Sequence, residues 1–213
     1  MQNEATITDA DRAYERIKDM IVTLEMSPGA VIQEHLLKER LELGRTPIRE
    51  ALKRLEAENL VIIKPRRGIF VADITITDLT QIYEVRIELE TLCARLAAQR
   101  ATPSFINRME LLVDEYRTIP EDDLPALFAI DRKFHITLAD ATLNSFLSRE
   151  LELFYNLSLR IWYLALNSIQ SLDIDVDAHP NILAAIKQHD TDLAEERMRE
   201  HIRHFHQAIR KNL

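Results

Sequence analysis

Asp131 and His135 stand one helical turn apart in a stretch whose other inward positions, Leu124, Leu127, Phe134 and Leu138, are apolar. At that spacing both side chains leave the same helix face and can donate to one divalent ion. Alone, an Asp-x-x-x-His pair is more often just a hydrogen-bonded turn than a metal site. Two further histidines strengthen the metal reading. His179 directly precedes Pro180 and lines up with Ile182, Leu183 and Ile186, and His201 lies on the line Ala194, Met198, Phe205, Ala208. Three imidazoles and a carboxylate suit a borderline divalent metal ion, with zinc first and nickel, iron or manganese as alternatives. Because neutral nitrogens bind the ion, its affinity should depend on pH.

Arg86 is the matching cation. It interrupts the apolar line Leu79, Ile82, Leu89, Cys93, Leu96, so it points into a core, where an unpaired guanidinium is very costly. Its anion is either Glu90, one turn on, or a carboxylate ligand gripped by the guanidinium fork. If two coordination positions stay open, a small organic acid could bind the metal while Arg86 holds its other side. Asn144, Asn156, Trp162 and Tyr163 belong to the long helix that must wall such a pocket. The two asparagines are candidate effector contacts; packing is the expected role of the aromatics. His204 shares a face with Arg197 and Glu200, and His206 with Arg199, which puts both on a solvated face. His189, beside Asp190, reads as a dipole-stabilising cap.

The elements that carry these residues are helices. Periodicity marks six of them, at about 78–100, 103–118, 122–140, 143–166, 179–189 and 190–211, broken at Thr102-Pro103, Ile119-Pro120, Asn144-Ser145 and the polar run Asp173 to Asp177. Such a run of amphipathic helices predicts an all-α antiparallel bundle over 76–213. Its start is marked near Asp73-Ile74-Thr75-Ile76, where Thr77 and Asp78 can cap a helix.

Residues 1–75 read differently. Helices are expected at Asp11 to Leu24 and Glu34 to Leu41, around a Pro28-Gly29 turn. A third runs through GRTPIREALKRLEAENL, Gly44 to Leu60, with Thr46 as N-cap and Pro47 at the first helical position. Ile48, Ala51, Leu52 and Leu55 form its buried face, while Arg45, Arg49 and Lys53 step along the outside with Arg54 beside them. Asn59 can take the left-handed turn that ends it. Two β-rich arms, Leu60 to Lys64 and Ile69 to Ala72, follow around the basic tip Pro65-Arg66-Arg67-Gly68. A solvated amphipathic helix would show the same stripe. Three helices and a charged two-stranded wing, however, describe a winged helix-turn-helix, whose arginines can enter a major groove N-terminus first.

Charge is segregated accordingly. The whole chain carries −8, which by itself argues against nucleic acid. Residues 38–67, however, hold nine Lys and Arg against five Asp and Glu, and residues 76–213 hold fifteen against twenty-two. A basic module is thus joined to an acidic one. No apolar run reaches the ~18 residues of a membrane span. The N-terminus lacks a signal pattern, and the single cysteine, Cys93, suits a reducing compartment, so a cytoplasmic location is expected.

The segment from Pro28 to Val71, with its Pro-Gly turn, Arg-Thr-Pro-x-Arg-Glu-Ala-Leu helix and Arg-Gly wing, resembles the DNA-binding head of GntR-family transcriptional regulators. The resemblance implies operator contacts from Arg45, Thr46 and Arg49, wing contacts from Arg67 and Gly68, and a phosphate contact from His35; Lys53 extends the stripe. Gly44 stands where the family usually has Ser or Thr, and Glu42 where it often has Gly, so the turn is expected to be less tight. The bundle is similar to the FCD domain often fused to such heads, in its shorter six-helix, VanR-like branch of the FadR type. That family's pattern falls on Asp131, His135, His179 and His201.

Together these readings predict a homodimeric DNA-binding regulator, more a repressor than an activator. Its affinity for palindromic half-sites in double-stranded DNA would respond to a small carboxylate effector at a metal. Two alternatives stand beside it: a metal-dependent enzyme tethered to a DNA-binding head, and a regulator with a purely structural metal. The inward faces show no general base beyond the ligands, which disfavours catalysis.

Overall fold

The computed structural model describes residues 7–166, 175 and 177–211. The N-terminal residues 1–6 and most of the polar run from Asp173 to Asp177, read above as signal-free and as a helix break, lie outside the described residues. The chain divides into two compact units, Met1–Thr75 and Ile76–Leu213.

In the first unit, α1 (Asp9–Val22) starts two residues earlier than expected because Thr8 caps it. The Thr8 side chain accepts from the Asp11 N–H and the Asp11 carboxylate accepts from the Thr8 N–H, a reciprocal capping box. α2 (Glu34–Leu41) ends at Glu42, which adopts the left-handed conformation at φ 55°. The turn between α2 and Gly44 is therefore made without glycine at Glu42, against a steric cost of about 1–2 kcal/mol.

α3 spans Arg45–Ala57, and its N-cap is Gly44, not Thr46. Gly44 has extended backbone, and Pro47 falls at the third helical position. Proline is tolerated there because the first helical N–H groups have no intrahelical acceptor in any case. Asn59 takes the left-handed conformation after the helix, at φ 58°. Ile17, Ile21, Ile48, Leu52, Leu55 and Leu60 form the fully buried core.

The wing is β2 (Val61–Lys64) paired antiparallel with β3 (Gly68–Val71), with Ile62 opposite Phe70. A further strand, β1 (Val31–Ile32), pairs with the other edge of β3, giving the order β1-β3-β2. Two residues are too short to show a periodicity of two, so this strand was invisible in sequence.

The second unit is helical: α4 (Ile76–Arg100), α5 (Pro103–Thr118), α6 (Leu124–Ala141), α7 (Ser145–Ala165), α8 (Ala178–Lys187) and α9 (Thr191–Arg210). α4 is central and packs on α6, α7, α8 and α9. Cys93, Ala94, Ala97 and Ala98 are completely buried, and such small side chains allow close approach to Ala194 and Met198 of α9. Asp123, Asn144 and Asp190 cap α6, α7 and α9 by accepting from N–H groups of their first turns.

Candidate functional site

Three helices meet around one group of side chains. α6 supplies Asp131 and His135, the first turn of α8 supplies His179, and α9 supplies His201. One ligand atom from each lies within 4.8 Å of the others. His179 Nε2 is 3.1 Å from Asp131 Oδ1, His135 Nε2 is 3.2 Å from His201 Nε2, and the His135 and His201 nitrogens are 3.7 and 3.9 Å from the same carboxylate oxygen. Atoms bound at about 2.0–2.2 Å to a single ion lie roughly 3–4 Å apart, so the separations of 3.1–3.9 Å fit and the widest, up to 4.8 Å, would close on binding. His179 Nε2 is buried and has no aligned hydrogen-bond partner, its nearest approach being the carboxylate at 3.1 Å. An orphaned imidazole nitrogen aimed at a carboxylate and two other imidazoles is what a divalent ion would satisfy.

Two groups that sequence reasoning did not assign to the metal set contact these side chains from behind. The Tyr155 hydroxyl of α7 donates to Asp131 Oδ2, which leaves Oδ1 for the histidines. Glu90 of α4, completely buried, faces both ways: Oε1 accepts from Arg86 Nε at 2.7 Å, and Oε2 faces His135 Nδ1 as an ion pair rather than an aligned hydrogen bond. With Nδ1 turned to a carboxylate, Nε2 is the nitrogen presented to the cluster. Glu90 had a sequence signal, since it lies one turn from Arg86. Tyr155 had none beyond being a polar-tipped aromatic in an apolar seam.

The electrostatics follow from this packing. Burial opposes ionisation of Asp131, yet His135 and His179 outweigh it and hold its carboxyl well below the usual range. For Glu90, burial is likewise overcome by Arg86 and then His135. Burial also disfavours the imidazolium of His135, but Glu90 and Asp131 raise its pKa to about 9. His201 is pushed the other way, well below an ordinary imidazole, first by burial and then by His179 and His135. A neutral imidazole is the form that can donate to a cation.

Arg86 is buried and already paired with Glu90, and its guanidinium lies over the rings of Tyr155 and Trp162 at 4.5 and 4.9 Å. It lines a narrow cleft with Asp131, His135, His201, Ser158 and Trp162. His206 also lines this cleft, stacked on Tyr83 at 3.9 Å, and so is not on the solvated face expected for it. The two asparagines are elsewhere. Asn144 caps α7, its Oδ1 accepting from Phe146 and Leu147, and Asn156 accepts from Arg132 Nε at 3.1 Å; neither lines the cleft. His204 is half-buried. His189, at φ 58°, places Nδ1 2.8 Å from the Ala98 carbonyl of α4, which makes it an interhelical contact rather than a dipole cap.

In the first unit, Arg45, Thr46, Arg49 and Lys53 are exposed along α3, opposite the buried face. Arg49 Nε approaches Glu34 at 3.3 Å but stays largely solvated. Arg54 turns away from the stripe: it pairs with Asp11 at 2.8 Å and covers the Tyr14 ring. His35, Arg67 and Gly68 are exposed, and the wing tip turns through Arg66 at φ 63° and Gly68 at φ 116°.

A basic-faced winged helix-turn-helix joined to a helical bundle with an internal ligand cluster defines a DNA-binding transcriptional regulator. Residues 9–71 match the gntR family of bacterial regulatory proteins and residues 81–204 match the FCD domain. The chain belongs to the GntR family and is of its FCD-bearing type. It is 28% identical over 211 residues to the HTH-type transcriptional repressor GlaR of Escherichia coli, covering 92% of this chain and 93% of that one. It is 35% identical over 130 residues to an uncharacterized HTH-type transcriptional regulator of Agrobacterium vitis, covering 59% of this chain and 76% of that one. The solved structure of E. coli McbR/YncC has the same fold, with a TM-score of 0.87 at 20% identity over 97% of this chain and 99% of that one. The two sequence relatives are named as transcriptional regulators, not enzymes. Among the described residues no helix is long and apolar enough to cross a membrane.

Proposed function

We propose that the chain represses transcription as a homodimer on a palindromic operator, and that a small carboxylate bound beside a divalent ion, zinc first, controls its operator affinity. Asp131, His135, His179 and His201 would hold the ion, and Arg86 would hold the carboxylate. Arg45, Thr46, Arg49 and Lys53 would face the major groove, with His35, Arg67 and Gly68 on the backbone and wing.

The observation that carries this reading is geometric: four donor atoms from three helices lie within 4.8 Å of one another, and the buried Arg86 lines the same cleft. A divalent ion added to that cluster brings positive charge into a buried cleft beside a guanidinium, which an anion must answer. Bound there, the ion would supply a Lewis-acidic position for one carboxylate oxygen. The chain's own residues do the rest: Tyr155 turns Asp131, Glu90 turns His135, and the Tyr155 and Trp162 rings pack against the guanidinium. A single small head buries little DNA surface, so twofold pairing on half-sites is expected. An effector that prefers one arrangement of the dimer then shifts operator affinity by no more than its differential binding energy.

The test is purification without chelator, elemental analysis, and melting with organic acids before and after chelation. His201→Ala should lower the melting temperature and abolish the chelator effect, whereas His204→Ala, outside the cluster, should leave the chelator effect intact. Absence of divalent metal in the wild type, or an equal chelator effect in the two variants, would refute the site. Metal-dependent melting with no change in operator affinity for any carboxylate would favour a structural metal.

A further inference from the structure

Glu90 is a buried carboxylate of the bundle core that touches both halves of the site. It is completely buried, with Oε1 toward Arg86 and Oε2 toward the back of His135. Arg86 in turn has aromatic rings at 4.5 and 4.9 Å, so its fork is held in place by Glu90 on one side and by Tyr155 and Trp162 on the others. The imidazole and the guanidinium are thus joined through a single carboxylate.

We infer that Glu90 is a positioning residue that ties the two halves together, fixing the Nδ1–H form of His135 so that Nε2 faces the metal, and occupying Arg86 whenever the site is empty. The inference rests on the metal reading for its first half only. The physical argument has two signs. A carboxylate behind a ligating imidazole orients the ring and raises its basicity, so its removal typically lowers metal affinity by about 10- to 100-fold. The same carboxylate neutralises Arg86 and competes with any incoming anion, so its removal should raise anion affinity in metal-free protein. A merely structural residue would lower both together, through loss of packing.

The experiment uses the full-length protein and the Glu90→Gln variant, which keeps the shape and deletes the charge. Trp162, the single tryptophan of the chain, sits against Arg86 and reports on the cleft by its fluorescence. Zinc titration should show binding weakened by about 10- to 100-fold in the variant. Acetate titration of metal-free protein should give a saturable change in the variant and a much weaker one in the wild type. Nitrogen NMR of zinc-loaded wild type should show the proton of His135 on Nδ1.

Equal zinc affinity in a folded variant, or a zinc-loaded wild type with His135 protonated on Nε2, would overturn the positioning role. Acetate binding that falls or is unchanged in the variant would overturn the competition with Arg86. Wild type that takes up no zinc, nickel or manganese would defeat the metal reading instead, leaving the acetate comparison to decide for or against Glu90. If Glu90→Gln does not fold, the His135 tautomer in the wild type decides: a proton on Nδ1 supports the positioning role, and a proton on Nε2 overturns it.

Discussion

The two units place charge in opposite ways. In the winged helix the cations of α3 stand in water on the face away from the core, and the ion pairs they make are largely exposed. In the bundle, Arg86, Glu90, Asp131 and His135 are buried and arranged against one another. Exposed cations cost little to hold, are free to meet a polyanion, and act collectively through counterion release. Buried charges are costly unless balanced, so they respond to the arrival or loss of a single ion. Exposed charge suits a long polyanion, whereas balanced buried charge is what one small ion can upset.

The contrast is broken most sharply by removing one buried charge. Arg86→Met keeps most of the stem's packing but leaves Glu90 without its guanidinium, and should destabilise the bundle by about 3–5 kcal/mol in urea unfolding. Metal content should persist while the response to carboxylates disappears. A cost no greater than that of a typical surface substitution would mean that the Arg86–Glu90 pair is not the buried element described.

On the exposed side, Arg49→Ala should leave the fold unchanged and cost about 1–3 kcal/mol of operator affinity if the contact is bidentate to a base. Lys53→Ala should instead weaken binding to all sequences and reduce the salt slope by about 1, as a phosphate contact does. Fluorescence anisotropy at matched salt separates the two. Equal operator affinity of Arg49→Ala and wild type would remove α3 from the recognition role.

The pH dependence should differ between the units in a smaller but signed way. In metal-free bundle, the raised pKa of His135 contributes stability that is full below about pH 6.5 and is lost as pH rises through about 9. His201, depressed in the fold, works the other way: its contribution falls as pH drops below about 6.5, because only the unfolded chain then takes the proton. Metal-free stability should therefore peak near neutrality, and metal should remove the alkaline loss because bound His135 is already neutral. In the head, Asp11 is held low by hydrogen bonds from Thr8 and Arg54, so its contribution is lost only in acid, below about pH 4. Trp162 fluorescence follows the bundle and hydrogen exchange the head. An alkaline loss unchanged by metal would contradict the placement of His135.

The smallest effect is expected at Glu42. Its φ of 55° is a conformation that glycine adopts freely, so Glu42→Gly should stabilise the head by up to about 1 kcal/mol and leave the bundle unchanged. Hydrogen exchange of the α2 and α3 amides measures it. Destabilisation would indicate that the Glu42 side chain makes a contribution that outweighs the backbone relief.

Much of this architecture is legible in the residues alone. The bounds of α2, α5 and α9 follow from apolar periodicity with Pro103 and Asp190 as punctuation, and the left-handed turn at Asn59 is readable from residue type. The N-terminus of α3 differs from the Thr46 expectation because Gly44 caps by backbone conformation alone, which a good capping side chain nearby outranks in any reading of residue types. Asn144 is a cap rather than a ligand contact for the converse reason: its role is local and needs no partner across the core. His206 shares a helical face with a charged residue, which places it in water on pattern alone, yet Tyr83 covers it.

What the sequence by itself determined is, for most positions, which side of each helix faces inward, because a period of 3.6 assigns a residue to a face whatever it later meets. That was enough to put Arg86, Asp131, His135, His179 and His201 in the core and the α3 cations outside it. Only the tertiary structure decided which atoms face one another once helices distant in sequence are packed. Periodicity carries no information about axial register between α4, α6 and α7, and that register alone brings Glu90 behind His135 and the Tyr155 hydroxyl onto Asp131.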